Sequence, residues 1–222
     1  MKIDIQRPTA ANEIPLHLYQ SFIGDIATME DKENDAEVTK KMIEHFCSIS
    51  SDNVNHISML SIIEFQAHFA TIFKSNLPLQ RRFFIGGKEF GMIPDLENIS
   101  FEEYVDLEKY ISKWETMHKA MAVLYRPITE RKGQDKYLIE KYQGSNTYSE
   151  VMLHMPVSIP LSASVFFWNL GQELLAATAD YLKLETKKMR RTFLWSRSSV
   201  KNGDGINQYI NSLEEQLKSS IL

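Results

Sequence analysis

Between Gly91 and Ile128 the chain carries helix signals that leave little freedom, with a start, a polar break and a stop. Ser100 followed by Glu103 is a capping box: the hydroxyl accepts from the Glu103 backbone N–H, and the carboxylate accepts from that of Ser100. Glu102, Glu103 and Asp106 crowd the first turns, where the helix dipole favours negative charge. Ile99 opposite Tyr104 supplies a hydrophobic staple, and Tyr104, Leu107 and Ile111 form an apolar stripe at helical spacing. A second helix, roughly Trp114 to Tyr125, sets Trp114, Met117, Met121 and Leu124 on one face. Pro127 stops it and biases Arg126 toward extended backbone. The acids Glu102, Glu103, Asp106 and Glu108 read as a solvated helix face rather than a metal or acid–base site. His118 has no acid or histidine four residues away, so it forms no two-ligand helical metal motif and reads as structural.

Ahead of this pair, Lys2 to Ile5 reads as a short strand, followed by a helix from about Pro15 with Asn12 as its cap. Asp25 to Asp35 is polar, acidic and without apolar periodicity, the pattern of a loop open to proteolysis. Ala36 to Ile49 returns to helix with Val38, Met42, Ile43 and Phe46 in phase, Ser50 to Asn53 breaks it, and Val54 to Ser58 is a short helical turn. Met59 to Lys74 is a strongly apolar helix, with Leu60, Ile63, Ala67, Ala70 and Ile72 close to one face. Gly86-Gly87, between Arg82–Ile85 and Lys88–Phe90, is a two-residue hairpin signal, since both glycines accept positive φ. A second hairpin turns at Lys132 to Asp135, and its flanks add to the first hairpin as a small antiparallel sheet. Ser145 to Thr147 starts another short helix that ends at Met155-Pro156.

Pro160 opens the longest helix, from about Leu161 to Arg191. Its first half, with Leu161, Val165, Phe166, Phe167, Trp168 and Leu170, is apolar nearly all round and is expected to be deeply buried. Between Lys183 and Lys201 there are seven basic residues and one acid, Glu185, with Phe193, Leu194 and Trp195 interleaved. Lys187, Lys188, Arg190, Arg191, Trp195 and Arg197 are the candidate partner interface. This run suits docking on an acidic surface, or a solvated helix end whose cations favour the dipole. A nucleic-acid contact is the weaker reading, because no nucleic-acid-binding motif accompanies the charge. Lys201 to Gly205 is a flexible break, and Ile206 to Leu222 closes as an amphipathic helix with Ile206, Ile210, Leu213 and Leu217 in step.

The predicted fold class is therefore mainly α with a small antiparallel β-hairpin sheet, a helix-dominated α+β arrangement. Three regions are expected: 1–78, 79–202 and 203–222. One cysteine, Cys47, rules out an internal disulfide framework and suits a reducing compartment. The start MKIDIQRPTAA lacks a signal-type apolar core, and Gln172, Glu173 and Asp180 make the most apolar run a poor membrane span, so a soluble protein without membrane insertion is expected. A net charge of −4 argues against wholesale nucleic-acid binding. His45, His56 and His68 are spaced too widely for a local metal motif. No nucleophile–base pair, phosphate loop or metal spacing appears, so neither catalytic residues nor a cofactor is assigned, and an enzyme is the disfavoured class.

The strings GMIPDLENISFEEYVDLEKYI, WETMHKAMAVLYRPIT, KYLIEKY and YSEVMLHMPVSIPLSASVFFWNLGQELL together resemble virion-morphogenesis proteins of tailed bacteriophages. The likeness is greatest to those of crAss-like and related phages of Bacteroidetes hosts. It covers about Asp4 to Leu175 and excludes the basic run and the C-terminal helix. The resemblance implies a head–tail connector, a tail protein or a tail-assembly chaperone, and it transfers no catalytic residue. The resulting expectation is a non-enzymatic virion protein that forms a ring with copies of itself near the portal or tail, in contact with other portal or tail proteins. A chaperone absent from the finished particle and a capsid cargo protein ejected with the genome are the alternatives. The acidic segment Asp25 to Glu37 and the basic segment Lys183 to Lys201 are candidates for complementary surfaces of such a ring, whose contacts join unlike faces.

Overall fold

Two hairpins, written by their turns, assemble the sheet around which the helices pack. Gly86 and Gly87 have φ of 56° and 78°, closing β1 (Arg82–Ile85) onto β2 (Lys88–Met92). β3 (Tyr125–Arg131) pairs antiparallel with β2 and with β4 (Tyr137–Ile139), giving one sheet of order β1-β2-β3-β4. The computed structural model describes residues 6–30, 34–74, 77–133 and 136–196, with side chains as far as residue 186. The expected strand at Lys2 to Ile5, the break at Lys201 to Gly205 and the helix at Ile206 to Leu222 lie outside the described residues.

Eight α-helices accompany the strands among the described residues, so the fold is a helix-dominated α+β, as the sequence predicts. α1 (Leu16–Thr28), α2 (Asp35–Phe46), α3 (Ser51–Val54) and α4 (Met59–Lys74) precede the sheet. α5 (Phe101–Ile111) and α6 (Met117–Leu124) fall between β2 and β3, and α7 (Asn146–Met152) and α8 (Ser158–Ser196) follow β4. The chain divides into two compact units, Met1–Trp168 and Asn169–Leu222, and the described part of the second is the helical stretch of α8 from Asn169 onward.

In the first unit, residues from both sides of Pro78 share one hydrophobic core, from Ile14, Leu16 and Phe69 to Leu124, Met152 and Ile159. The two sides are also joined through the backbone. Leu16 and His17 donate to the Met155 and Leu153 carbonyls at 2.8 and 2.9 Å, and Val157 donates to that of Ile14 at 2.8 Å. α6 lies at the centre. Met117, Ala120, Met121, Ala122, Val123 and Leu124 are all buried, so the expected single apolar face is corrected to burial nearly all round. α6 passes into β3 without a loop: Tyr125 N–H still bonds Met121 O, and Leu124 O accepts from Ile93 N–H at 2.8 Å.

Pro127 sits in an interior strand, where a missing N–H ordinarily breaks the ladder. Its carbonyl accepts from Glu140 N–H at 2.9 Å, on the β4 side, just past the last paired residue of that strand. Carbonyl and nitrogen of one strand residue face the same edge, so the absent donor falls where the ladder has already ended.

Several local expectations need correction. The cap of α1 is Pro15, in extended backbone, and Ala11–Glu13 is a 3-10 turn, so Asn12 does not cap it. The acidic connector is shorter than expected, because residues 25–28 close α1 and Asp35 opens α2, capped by the Asn34 side chain. α2 ends at Phe46, and Ser48 takes a φ of 54°, which stops the helix three residues early. On α4 the buried face is Ile62, Phe65, Phe69 and Ile72, whereas Leu60 is 75% exposed and Ile63 also faces out. Aromatic packing decided that choice: Phe69 and Phe73 meet Phe46, which stacks with Tyr19 of α1.

The capping box forms as predicted, Ser100 N–H donating to Glu103 Oε2 at 2.7 Å and Glu103 N–H to Ser100 Oγ at 3.2 Å. Replacing Ser100 with Ala is expected to cost about 1 kcal/mol. At this chain length that lowers Tm by roughly 2–4 °C, measurable by thermal denaturation, while Ser100→Asn stays near wild type.

Candidate functional site

Three sets of residues stand apart from ordinary core packing: a buried ionic cluster joining α5 and β3, a groove lined by two arginines, and apolar helix faces left uncovered.

The cluster begins with Glu103, held by the capping box, and Arg126, held extended by the following proline. Glu103 is 7% exposed and Arg126 6%, and their charged ends meet at 2.5 Å between Oε1 and Nη1. The solvated acidic face expected of α5 is thus corrected at Glu103. Burial works against its charge, but the Ser100 hydrogen bonds and the Arg126 guanidinium outweigh it and hold the carboxyl below the usual glutamate range. The guanidinium also lies 5.4 Å from the centre of the Tyr142 ring, whose hydroxyl donates to Asp106 Oδ2 at 2.5 Å. Burial first, and then Asp106, raises the Tyr142 phenol, which therefore stays a donor. Arg126 Nη1 is engaged by Glu103, whereas Arg126 Nε is buried with no aligned hydrogen-bond acceptor among the described residues. This arrangement clamps α5 to β3, and its charges are directed at one another.

Leu79, Gln80, Arg81 and Arg82, where the chain enters β1, and Tyr137 of β4 line an open groove. Tyr125 donates to Gln80 O at 2.8 Å, and Tyr137 donates to Arg81 O at 3.2 Å and Met92 O at 2.9 Å. These two hydroxyls fix the segment leading into β1. Nearby, Lys88 sits 3.4 Å from Glu140, which accepts a hydrogen bond from Tyr148. Burial, followed by Glu140, pushes the Tyr148 phenol up to about 12.

The histidines act as pins between segments. His68 Nε2 lies 2.7 Å from Pro8 O, His45 Nε2 3.1 Å from Asp25, and His118 Nδ1 3.1 Å from Gln20. Burial, foremost, lowers the His118 pKa, favouring the neutral ring. Among the described residues no group of three or more His, Cys, Asp or Glu is placed to hold a metal ion. Cys47, just past the end of α2, is partly buried, and burial raises its thiol to about 11. Asp25 of the acidic segment is engaged by His45 and by Lys41 at 3.5 Å, and Glu37 by Lys40 at 2.6 Å. Part of that segment therefore has partners within its own chain.

Comparison with protein-family models, curated proteins and solved structures gives no match.

The uncovered helix faces are the clearest departure from expectation. Phe101, Tyr104 and Val105 expose one side of α5, so the Tyr104 staple is not a buried contact, and Met59, Leu60 and Ile63 expose one side of α4. α8 is more extreme. Its buried portion is Ser158 to Ala163, whereas Val165, Trp168 and Leu170, expected in the core, are exposed. Leu174 is 67% and Tyr181 62% exposed, and Leu175, Leu182 and Leu184 are exposed as well. No described helix is long and apolar enough to cross a membrane. Lys187, Lys188, Arg190, Arg191 and Trp195 fall on the helical backbone of α8 beyond the described side chains, and Arg197 lies outside the described residues.

Proposed function

We propose that the protein is a non-enzymatic structural subunit of a tailed-phage virion, one copy of a homo-oligomeric ring near the portal or tail. The single observation that carries the reading is α8: apolar residues of a helix belong in an interior, yet Val165, Trp168, Leu170, Leu174, Leu175, Tyr181, Leu182 and Leu184 are exposed. Another polypeptide is the natural cover, since contiguous exposed apolar surface of this extent marks an interaction site. The resemblance of the central strings to phage morphogenesis proteins supports a virion setting. The internally paired charges of the Glu103–Arg126 cluster fit a rigid building block better than a reaction centre.

The exposed faces of α4 and α5 also suit a tail-assembly chaperone, which shields a partner and then leaves. Mass spectrometry of purified virions separates the two. A ring subunit is recovered at a fixed stoichiometry to the portal protein, whereas its absence from particles, with abundance in infected-cell extracts, overturns the structural reading in favour of the chaperone.

A further inference from the structure

β1 ends the sheet: its inner side bonds β2, and among the described residues no strand pairs with its outer side. The register shows which groups are left over. Met92 N–H donates to Arg81 O at 2.8 Å, so Arg81 and, by the alternation of an antiparallel ladder, Phe83 and Ile85 are the residues that bond β2. The N–H and C=O groups of Arg82 and Phe84 therefore point outward, and no described residue bonds them. The same segment is held in place beforehand. Tyr125 bonds Gln80 O and Tyr137 bonds Arg81 O at its entry, and the Gly86-Gly87 turn fixes its exit. Little ordering cost is left for a strand that docks there.

Arg81 and Arg82 add charge where the chain enters β1. Both line the groove with Tyr137. Among the described residues no carboxylate pairs with either of them. Burial raises the Tyr137 phenol while the charges of Arg81 and Arg82 both act against it, which places the two cations beside one ring. Glu89, an acid that acts on the same phenol, is itself taken up by Arg131 at 2.5 Å. Phe84 is 63% exposed and lies on the same face of the strand as Arg82, because Phe83 between them is buried.

We infer that the outer edge of β1 is a strand-addition site for an extended, acidic segment of a partner protein, whose backbone bonds Arg82 and Phe84. Charge selects this occupant. A second copy of the edge would bring another pair of arginines against the first without a counter-charge, whereas an acidic strand neutralises them. An added strand sets alternate side chains beside Arg82 and Phe84, so the partner carries a carboxylate and, two residues away, an apolar group. Main-chain bonds supply the affinity, and those two contacts supply the selectivity. The site does not depend on a ring of copies.

The test is an NMR titration of the full-length, isotope-labelled protein with the blocked peptide Thr-Glu-Thr-Val-Thr-Glu-Thr. Its symmetric order presents an acid two residues from valine in either strand direction. Binding is expected to shift the amide signals of Arg82 and Phe84 and to slow their exchange with solvent. Arg81→Ser/Arg82→Ser is expected to weaken the peptide about tenfold or more, the scale of a lost charge-assisted contact. The lysine counterpart, Thr-Lys-Thr-Val-Thr-Lys-Thr, should bind the wild type as weakly, and it carries the charge test alone if circular dichroism shows the variant unfolded. No shift at millimolar peptide overturns the inference. So does binding that leaves the Phe84 amide exchange unchanged, which marks a simple anion site, and so does equal affinity for the lysine peptide. An oligothymidylate that binds this edge more tightly than the peptide overturns it in favour of a nucleic-acid contact.

Discussion

Replacing Arg126 with Met is expected to destabilise the first unit by about 3–5 kcal/mol at neutral pH, the usual cost of leaving one buried charge without its counterion. Glu103 stays fixed at the start of α5 by the capping box, so its carboxylate cannot swing out to water without undoing the helix start. The pH dependence carries a definite sign. In the wild type the folded pKa of Glu103 is depressed. Its contribution is fully present above the unfolded value of about 4.3 and is lost as pH falls through the lower folded value. Without the guanidinium, burial raises that folded value, so the penalty of Arg126→Met shrinks on acidification. Glu103→Gln/Arg126→Met, which removes both charges and keeps an acceptor for Ser100 N–H, should recover much of the loss. Urea denaturation of the four proteins of this cycle, at neutral pH and near pH 4, measures the coupling. Additive effects of the two substitutions would mean that the pair does not act as a unit.

Gly91→Ala has the second largest expected effect, and the reason is close approach rather than backbone freedom. A Cβ at Gly91 would fall 2.4 Å from Tyr137 Cε2 and 2.9 Å from Ile128 Cγ1. The Tyr137 ring lies over the glycine and is tethered by its hydroxyl to Arg81 O and Met92 O, so it cannot yield without giving up those bonds. Overpacking costs about 1–3 kcal/mol, and each hydrogen bond lost about 0.5–1.5 kcal/mol more. Removing the ring should remove the larger part of the penalty. In a Tyr137→Ala background, Gly91→Ala is expected to cost clearly less, with the approach to Ile128 Cγ1 remaining, and thermal denaturation of the double-mutant cycle reads this directly. An unchanged penalty in that background would place the strain elsewhere.

The elements that were legible in the sequence are those written by neighbouring residues. Ser100 and Glu103 specify a helix start, Gly86-Gly87 specify a turn, and Met59 to Lys74 is read to the residue because its boundaries are polar. What was not legible depends on distant partners. α4 has apolar residues on more than one face, and the aromatic cluster of Phe46, Phe69 and Phe73 selected the Ile62 face over the Leu60 face. Glu103 looks like any first-turn acid until Arg126, 23 positions later in the chain, is brought beside it by the return of β3. The apolar residues of α8 were present in its spacing, but a helix whose first half is apolar nearly all round reads as buried in its own chain. Periodicity reports that a face needs cover, and it does not say which molecule supplies it.

The central claim, self-assembly into a closed ring, is tested most directly by the mass of the full-length wild-type protein in solution, followed by light scattering across a wide concentration range. The account predicts one discrete oligomer whose mass is an integer multiple of the chain and stays constant over that range. A monomer at every concentration would contradict it.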